Sequence, residues 1–436
     1  MTVIVAGDSQ ADQFRVFDST LGPRLLVIPH SRIFAIDPAF GDALRAGDPQ
    51  AMTEALALGA NLDGEASLDL VPATTPQSIS LNVSATCNLG CGYCYAGSGG
   101  FAGAQTSAMS WEVARNAVDR LLTLANPRAP ITVGFIGGEP FLNRKLIRKV
   151  VQYSSDEGRR RGLAMRFAVT TNGTLLSGDD VALLREHPFA VTVSIDGGAD
   201  VQDVQRPALS GRSSFAAIRD AVGPLLEAPG LAKVGARATV MRTCLEVGAR
   251  FDQIVALGFR EVGFSPVRSG PLVHALRGED WRAYLTAMIE LARGEMSAAL
   301  LSAPVRLTNF AIALKQLHRG FSMPYACGAG GGYFSVAVDG TWYACHRAIG
   351  QHNYALGNNE GLDEARRASF LQARHVHGQP ECRKCWARYL CSGGCHQETS
   401  SRSDSSCGFI RGWLDFCLGA YTEMIERRPD YFATQN

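Results

Sequence analysis

The sequence predicts a mixed α/β chain in which a partial, TIM-like (β/α)6 barrel is followed by a small cysteine-rich C-terminal domain. Three observations predict it. Six apolar, strand-like runs alternate with amphipathic helical patterns between residues 78 and 267. Polar or glycine-bearing residues gather at the C-terminal ends of those runs, where the chemistry of such barrels collects. From Met323 onward the composition turns to Cys, Gly and His in short elements, as in small domains that fold around metal.

Taken in order, residues 14–40 read as short strands with turns at Leu21-Gly22-Pro23 and Pro29-His30, and a helical stretch follows near 50–59. Residues 65–77, with two prolines, read as a linker. Strand runs lie at 78–86, 131–138, 165–173, 189–197, 233–240 and 261–267. Helical patterns lie between them at 110–125, 144–162 and 215–228. The strands are continuous apolar runs, as expected of a parallel sheet covered on both faces. Six units suit an incomplete barrel better than a closed eightfold one. Residues 270–320 are helical by pattern, and the chain ends in a helix over 407–428. The expected divisions are therefore an N-terminal segment (1–77), the barrel (78–268), a helical bridge (269–322) and the cysteine-rich domain with its final helix (323–436).

At 436 residues, 46% hydrophobic and 19% charged, the chain is globular in composition. A net charge of +1 excludes a global field that recruits nucleic acid or an anionic membrane, and no basic stripe with interleaved aromatics appears. No run approaches the roughly 20 apolar residues a membrane helix needs. The N-terminus lacks the basic and apolar regions of a signal peptide, so a cytoplasmic protein is expected. In that compartment clustered thiols mean metal or catalysis rather than disulfides. Eleven of the twelve cysteines fall in residues 87–94 and 327–417; Cys244 stands alone and reads as a packed thiol.

Cys87-x3-Cys91-x2-Cys94 follows the first barrel strand, with an aromatic, Tyr93, before the last cysteine. Iron–sulfur clusters are otherwise held by four cysteines. With three, one iron stays open to a further ligand. Zinc is the alternative, although a catalytic zinc site would more often use histidines or a carboxylate.

This spacing, together with GGEP at 137–140 after the second strand, resembles the radical S-adenosylmethionine superfamily. The resemblance implies a [4Fe–4S] cluster on Cys87, Cys91 and Cys94 whose open iron binds S-adenosylmethionine. Cleavage of the cofactor then yields a 5′-deoxyadenosyl radical that abstracts hydrogen from substrate. It implies cofactor contacts at Tyr93, at Gly137, Gly138, Glu139 and Pro140, and at Asn172 after the third strand. Ser194 and Asp196 after the fourth strand would meet its ribose or carboxylate, and Arg237 on the fifth would pair with the carboxylate. Taken singly, each of these is equally well a turn or capping residue.

Cys327 and Cys345, with Gly340 between them, precede Cys382-x2-Cys385-x5-Cys391-x3-Cys395 and Cys407. Read alone, 382–395 fits a zinc ribbon. Seven cysteines exceed one zinc site and suit two clusters. Their order resembles the SPASM extension of radical enzymes, which carries two auxiliary iron–sulfur clusters, [4Fe–4S] by expectation. That resemblance implies Cys327, Cys345 and Cys395 for the first cluster, one thiolate short, and Cys382, Cys385, Cys391 and Cys407 for the second. Cys417 lies ten residues beyond Cys407 on one helix, about 15 Å along its axis. It is expected to be a buried thiol.

SPASM enzymes mostly modify peptides and proteins. Sulfatase-maturing members place an aspartate after the cysteine matching Cys345; here His346 stands there, a candidate proton acceptor or a support for the cluster. The CHR pattern at 345–347 and the final helix resemble maturases that cross-link ribosomal peptides, such as the thioether-forming maturase of the quinohemoprotein amine dehydrogenase small subunit. The resemblance implies a cysteine-containing peptide or small protein as substrate and an external electron donor such as flavodoxin or ferredoxin. It leaves residues 14–40 either as a docking segment for the peptide partner or as a β-cap on the barrel. The alternatives are a C–C bond, a formylglycine-type oxidation, a small-molecule substrate, or a zinc-ribbon module on a non-catalytic barrel.

Overall fold

The structure is a computed structural model, describing residues 13–60, 74–100, 108–268, 271–398 and 402–433. Residues 65–73 of the expected linker and residues 1–12 lie outside these. No helix among the described residues is long and apolar enough to cross a membrane. The chain divides into two compact units drawn from non-contiguous segments: residues 1–72, 281–327 and 372–436, and residues 73–280 with 328–371.

The first unit contains β1 (Phe14–Ser19), β2 (Gly22–Val27) and β3 (Arg32–Ala35) in an antiparallel sheet of that order. Leu25 and Val27 of β2 pack with Leu44, Ala51 and Ala55 from helices Pro38–Arg45 and Pro49–Ala60. Asp37 caps the first of these helices, its carboxylate accepting from Ala39 N, and Pro38 opens it. The 24-residue helix Asp404–Arg427 starts with a capping box on Ser403 and Ser406. Its aromatic face meets helices Glu279–Leu300 and Thr308–Arg319. Tyr284 stacks on Phe409 at 4.7 Å, and Phe310 lies 5.8 Å from Phe416. Asp415 and Glu426 on this helix pair at 2.7 Å with Arg15 and Arg24 of the N-terminal sheet. Ion pairs thus tie the N-terminal sheet to the long C-terminal helix.

The second unit is built on a nine-stranded sheet. β4 (Ser78–Ser84), β5 (Ile131–Gly137), β6 (Met165–Thr171), β7 (Phe189–Ser194), β8 (Lys233–Val240) and β9 (Val262–Pro266) run parallel in sequence order. β10 (Tyr333–Val336) adds parallel to β4, and β11 (Thr341–Tyr343) and β12 (Ala355–Asn358) continue from it antiparallel. β9 and β12 are the free edges, so the sheet stays open. The six-unit parallel core agrees with the sequence, and its strand bounds differ by only a few residues.

Helix Trp111–Leu124 shows why the alternation forms. Ser110 caps it, and Ala114, Ala117, Val118, Leu121 and Leu122 recur on one face and are buried. Helix Gly178–Glu186 starts on a capping box made by Ser177 and Asp180. One expectation differs. β6 and β7 alternate buried and more exposed positions instead of burying both faces. Phe167, Val169, Val191 and Val193 are buried, whereas Thr170, Thr192 and Ser194 line an open cavity. A strand whose second face borders solvent-filled space takes period-two polarity.

Candidate functional site

Parallel strands end on one side of a sheet, so the C-terminal ends of β4 to β9 deliver their side chains to one place. There the second unit holds a cavity of about 530 Å³. Strand side chains Thr170, Thr192, Ser194, Arg237, Thr239 and Ser265 line it, together with the loop that follows β4. All three thiols of that loop, Cys87, Cys91 and Cys94, reach its wall.

The cysteine loop is tied down on both flanks. Gly90 N donates to Pro207 O at 2.8 Å, and Leu209 N donates to Asn88 O at 3.1 Å. Asn88 Nδ2 donates to Thr174 Oγ1 at 2.8 Å and its Oδ1 accepts from Asn172 Nδ2 at 2.9 Å. Asn172 Nδ2 also stands 3.7 Å from Cys87 Sγ, and Leu89 N donates to that sulfur at 3.4 Å. Burial raises the Cys87 thiol, and raises that of Cys91 to about 11. Binding metal at this loop therefore releases protons.

The GGEP turn shapes the wall behind Cys87. Gly138 N donates to Ser84 O and Glu139 N to Thr86 O, so the turn runs along the chain leading into the cysteine loop. A Cβ on Gly138 would stand 2.3 Å from Thr86 O and 2.9 Å from Cys87 N. Only a residue without a side chain permits this approach. Glu139 and Pro140 lie beneath, not on, the cavity surface. Glu139 is fully buried; its carboxylate accepts from Asn172 N and Thr171 Oγ1 at 2.7 Å and from Phe141 N at 3.1 Å. It joins the end of β5 to the end of β6 and so positions Asn172. Burial holds its pKa above the ordinary value.

Asp196 is also fully buried and does not line the cavity. Its Oδ2 accepts from Tyr93 Oη at 2.6 Å and its Oδ1 from Thr239 N at 2.7 Å. Arg206 Nη1 donates to the same Tyr93 hydroxyl at 2.5 Å. Tyr93 is thus held between a carboxylate and a guanidinium, one residue before Cys94. Burial pulls the Arg206 pKa down, but the neighbouring Tyr93, Cys91 and Asp196 outweigh it and keep the guanidinium charged. Sequence reading missed Arg206, Thr239 and Glu139's buried anchoring role. The signal for the first was a basic residue ten positions after Asp196, legible only once the loop at 207–209 folds back on the cysteines.

Ser194 and Arg237, neighbours across β7 and β8, both face the cavity. His346 lines it too, with Nδ1 and Tyr333 Oη 3.1 Å apart, and Tyr333 Oη in turn lies 2.7 Å from Ser80 Oγ. Arg347 sits 5.4 Å over the Tyr95 ring. Of the residues expected at the cofactor, Tyr93, Gly137, Gly138, Asn172, Ser194 and Arg237 come together at one wall; Glu139, Pro140 and Asp196 support it from behind.

The later cysteines divide between the units. Cys345 is buried in the second with Ala329 and Ala348, whereas Cys327 and Cys395 belong to the first. Cys382, Cys385, Cys391 and Cys407 also lie in the first unit, on three short stretches: helix Pro380–Arg383 and its exit, helix Arg388–Cys391, and the opening turn of Asp404–Arg427. They are close enough to act on one another. Burial, reinforced by Cys382, Cys385 and Cys407, raises Cys391 to about 11. Arg402 Nη1 donates to Cys382 Sγ at 2.9 Å. Cys417 is fully buried on the same helix as Cys407, as expected, and Cys244 is half-buried.

The donor sets fit the groups they would hold. Three thiols, a glycine pair that a Cβ would obstruct, and hydroxyl, amide and guanidinium donors lining the same cavity suit a cluster with a small polar cofactor. Cys382, Cys385, Cys391 and Cys407 are of the donor type that holds an iron–sulfur cluster, and a guanidinium donates to one of their sulfurs.

Comparison with known proteins agrees with this chemistry. The Radical SAM superfamily pattern matches residues 81–228. An uncharacterized protein of Methanocaldococcus jannaschii is 37% identical over 134 residues, 31% of this chain and 43% of that protein, less than half its length. The serine-type anaerobic sulfatase-maturating enzyme of Klebsiella aerogenes is 25% identical over 76% of this chain and 83% of its own. The cysteine-type enzyme of Clostridium perfringens is 25% identical over 79% and 93%. Among solved structures, anSMEcpe with bound AdoMet and the Cp18Cys peptide superposes with a TM-score of 0.68 at 21% identity, covering 80% of this chain and 99% of that one. Streptococcus suis SuiB bound to its precursor peptide SuiA gives 0.51 at 12%, covering 92% and 97%. Both share the fold.

Proposed function

From a chain that carries a radical SAM domain over residues 81–228 and is an enzyme, we propose the following activity: oxidative cross-linking of a cysteine-containing peptide or small protein by an intrapeptide thioether bond. The observation that carries the reading is the pairing, in one chain, of a cavity lined by three thiols with a second set of four cysteines, one of them bonded to Arg402. When bound, the cluster on Cys87, Cys91 and Cys94 and S-adenosylmethionine supply a 5′-deoxyadenosyl radical that removes a substrate hydrogen. The residues of this chain do the rest. Ser194 and Arg237 orient the cofactor, the glycine pair admits it, and Tyr93, held by Asp196 and Arg206, packs beside it. His346, fixed through Tyr333, is placed to take a proton from substrate. The later cysteines would hold auxiliary iron–sulfur centres, and these would supply an electron acceptor as product forms. The N-terminal sheet, whose β3 is paired on one side only among the described residues, docks the peptide partner, and a flavodoxin or ferredoxin of the cytoplasm delivers the reducing electron.

A second reading, oxidation of a serine or cysteine side chain to formylglycine, is favoured by the two sulfatase-maturating relatives. One experiment separates them. The reconstituted protein is incubated with S-adenosylmethionine, a reductant and cysteine-containing peptides, and the products are read by mass spectrometry. A thioether product loses two hydrogens and no longer alkylates at its cysteine. A hydrazine-reactive aldehyde would instead support formylglycine and refute the cross-link. Replacing Cys87, Cys91 and Cys94 by alanine should abolish 5′-deoxyadenosine while auxiliary iron remains; undiminished cofactor cleavage would overturn the cluster assignment.

A further inference from the structure

Arg402 has no part in the sequence reading, yet it reaches one sulfur of the four-cysteine set. Besides its bond from Nη1 to Cys382 Sγ at 2.9 Å, its Nη2 donates to the carbonyl of Gly393. Gly393 belongs to the turn Ser392-Gly393-Gly394, all three at positive φ (57°, 74° and 66°), which links Cys391 to Cys395. The carbonyl of Gly394 accepts from Arg374 Nη2 at 2.8 Å. Two guanidiniums therefore clamp one tight turn. They bring two like charges to adjacent carbonyls of that turn. Two adjacent cations are stable together where an anionic group sits between them. A cluster with four thiolates is such a group.

Resting on the reading that Cys382, Cys385, Cys391 and Cys407 hold an iron–sulfur centre, we propose that Arg402 is a positioning residue that sets the reduction potential of that centre. It does so by donating to Cys382 Sγ while holding the turn between Cys391 and Cys395. On reduction the centre takes one electron from an external chemical reductant, which is oxidised. No bond to sulfur forms or breaks, and the guanidinium keeps its protons. The added negative charge spreads onto the sulfurs, where a charged N–H donor stabilises it. Arg402 thereby raises the potential and makes this centre the better electron acceptor.

The test uses the full chain with Cys87, Cys91 and Cys94 replaced by alanine, so that only auxiliary iron is titrated, followed by electron paramagnetic resonance against potential. Arg402→Gln should weaken reduction of one signal at least tenfold, a fall of about 59 mV for one electron. Arg402→Lys, which keeps the charge, should move it less than half as far. A Gln variant whose midpoint stays within threefold of its parent overturns the inference. Should that variant lose the centre's iron, pulsed resonance on protein labelled with ¹⁵N-arginine decides. Guanidinium nitrogen coupling to the reduced centre, lost in Arg402→Lys, supports the inference, and its absence in the parent overturns it. Cys382→Ala with Cys385→Ala identifies the signal. If that pair leaves iron and spectrum untouched, the cluster assignment fails and the inference with it; a signal that vanishes with the cysteines but ignores Arg402 defeats the inference alone.

Discussion

Replacing Glu139 by Gln tests whether a buried carboxylate, rather than a cavity-facing one, organises the radical site. In the parent, Oε2 accepts from Asn172 N at 2.7 Å, and Oε1 accepts from Thr171 Oγ1 at 2.7 Å and Phe141 N at 3.1 Å. A Gln amide has one acceptor oxygen. Turned one way, its NH₂ opposes Asn172 N; turned the other, it opposes Phe141 N, while the Thr171 hydroxyl can rotate to accept. Either way one backbone N–H is left facing a donor inside a fully buried site. A lost hydrogen bond to a charged acceptor is worth about 1.5–3 kcal/mol, and an unsatisfied buried donor costs about 1–3 kcal/mol. Removing a buried charge offsets part of this, leaving a net loss of about 2–4 kcal/mol. In urea, with m of about 3 kcal/mol/M, the midpoint of the metal-free protein should fall by about 1 M. Far-UV circular dichroism reads the midpoint. Iron content after reconstitution should also drop, because Asn172, released at its backbone, no longer steadies Asn88 and Cys87. A Glu139→Gln midpoint within about 0.2 M of the parent would refute the reasoning, since it would mean that no acceptor was lost.

Three further outcomes follow from the same contacts. Tyr93→Phe takes one hydrogen bond from each of Asp196 and Arg206 and should cost about 3 kcal/mol in urea unfolding; a loss below about 0.5 kcal/mol would show that the hydroxyl does not bridge them. Gly138→Ala drives a methyl into Thr86 O and should lower reconstituted iron by roughly one cluster, with the C-terminal centres kept; full iron would mean that the turn yields easily. Burial, with His377 nearby, lowers His375 to about 4, below its ordinary 6.5. The unfolded chain then binds the proton first, so its contribution to stability is present above pH 6.5 and is lost as pH falls towards 4. His375→Asn, which can still accept from His377 N, should show a shallower fall of urea midpoint over that window, and equal slopes would count against the assignment.

The fold core and the first cysteine loop were legible in the sequence because both are local signals. Strand–helix alternation is set by apolar period, and Cys87-x3-Cys91-x2-Cys94 brings three thiols together within eight residues whatever surrounds them. The strand-end residues Asn172, Ser194 and Arg237 were legible for a related reason: parallel topology sends every strand's C-terminal end to the same side. Asp196 was read from the same pattern and turned out to lie behind the wall, because its carboxylate is taken up by Tyr93 and Thr239.

By itself, then, the sequence determined the class of chemistry: a radical SAM domain with three cysteines in the loop after its first parallel strand. Tertiary structure alone decided which polar groups face the cavity and which hold it from behind. It also paired the N-terminal sheet with the helix Asp404–Arg427, and brought Arg206 to Tyr93 and Arg402 to Cys382. The physical reason is separation along the chain. Arg206 lies 113 residues from Tyr93, and Arg402 lies 20 from Cys382 across two turns and a helix, so no periodicity relates the partners. A long charged side chain finds its partner only after burial has removed the water that would otherwise satisfy it.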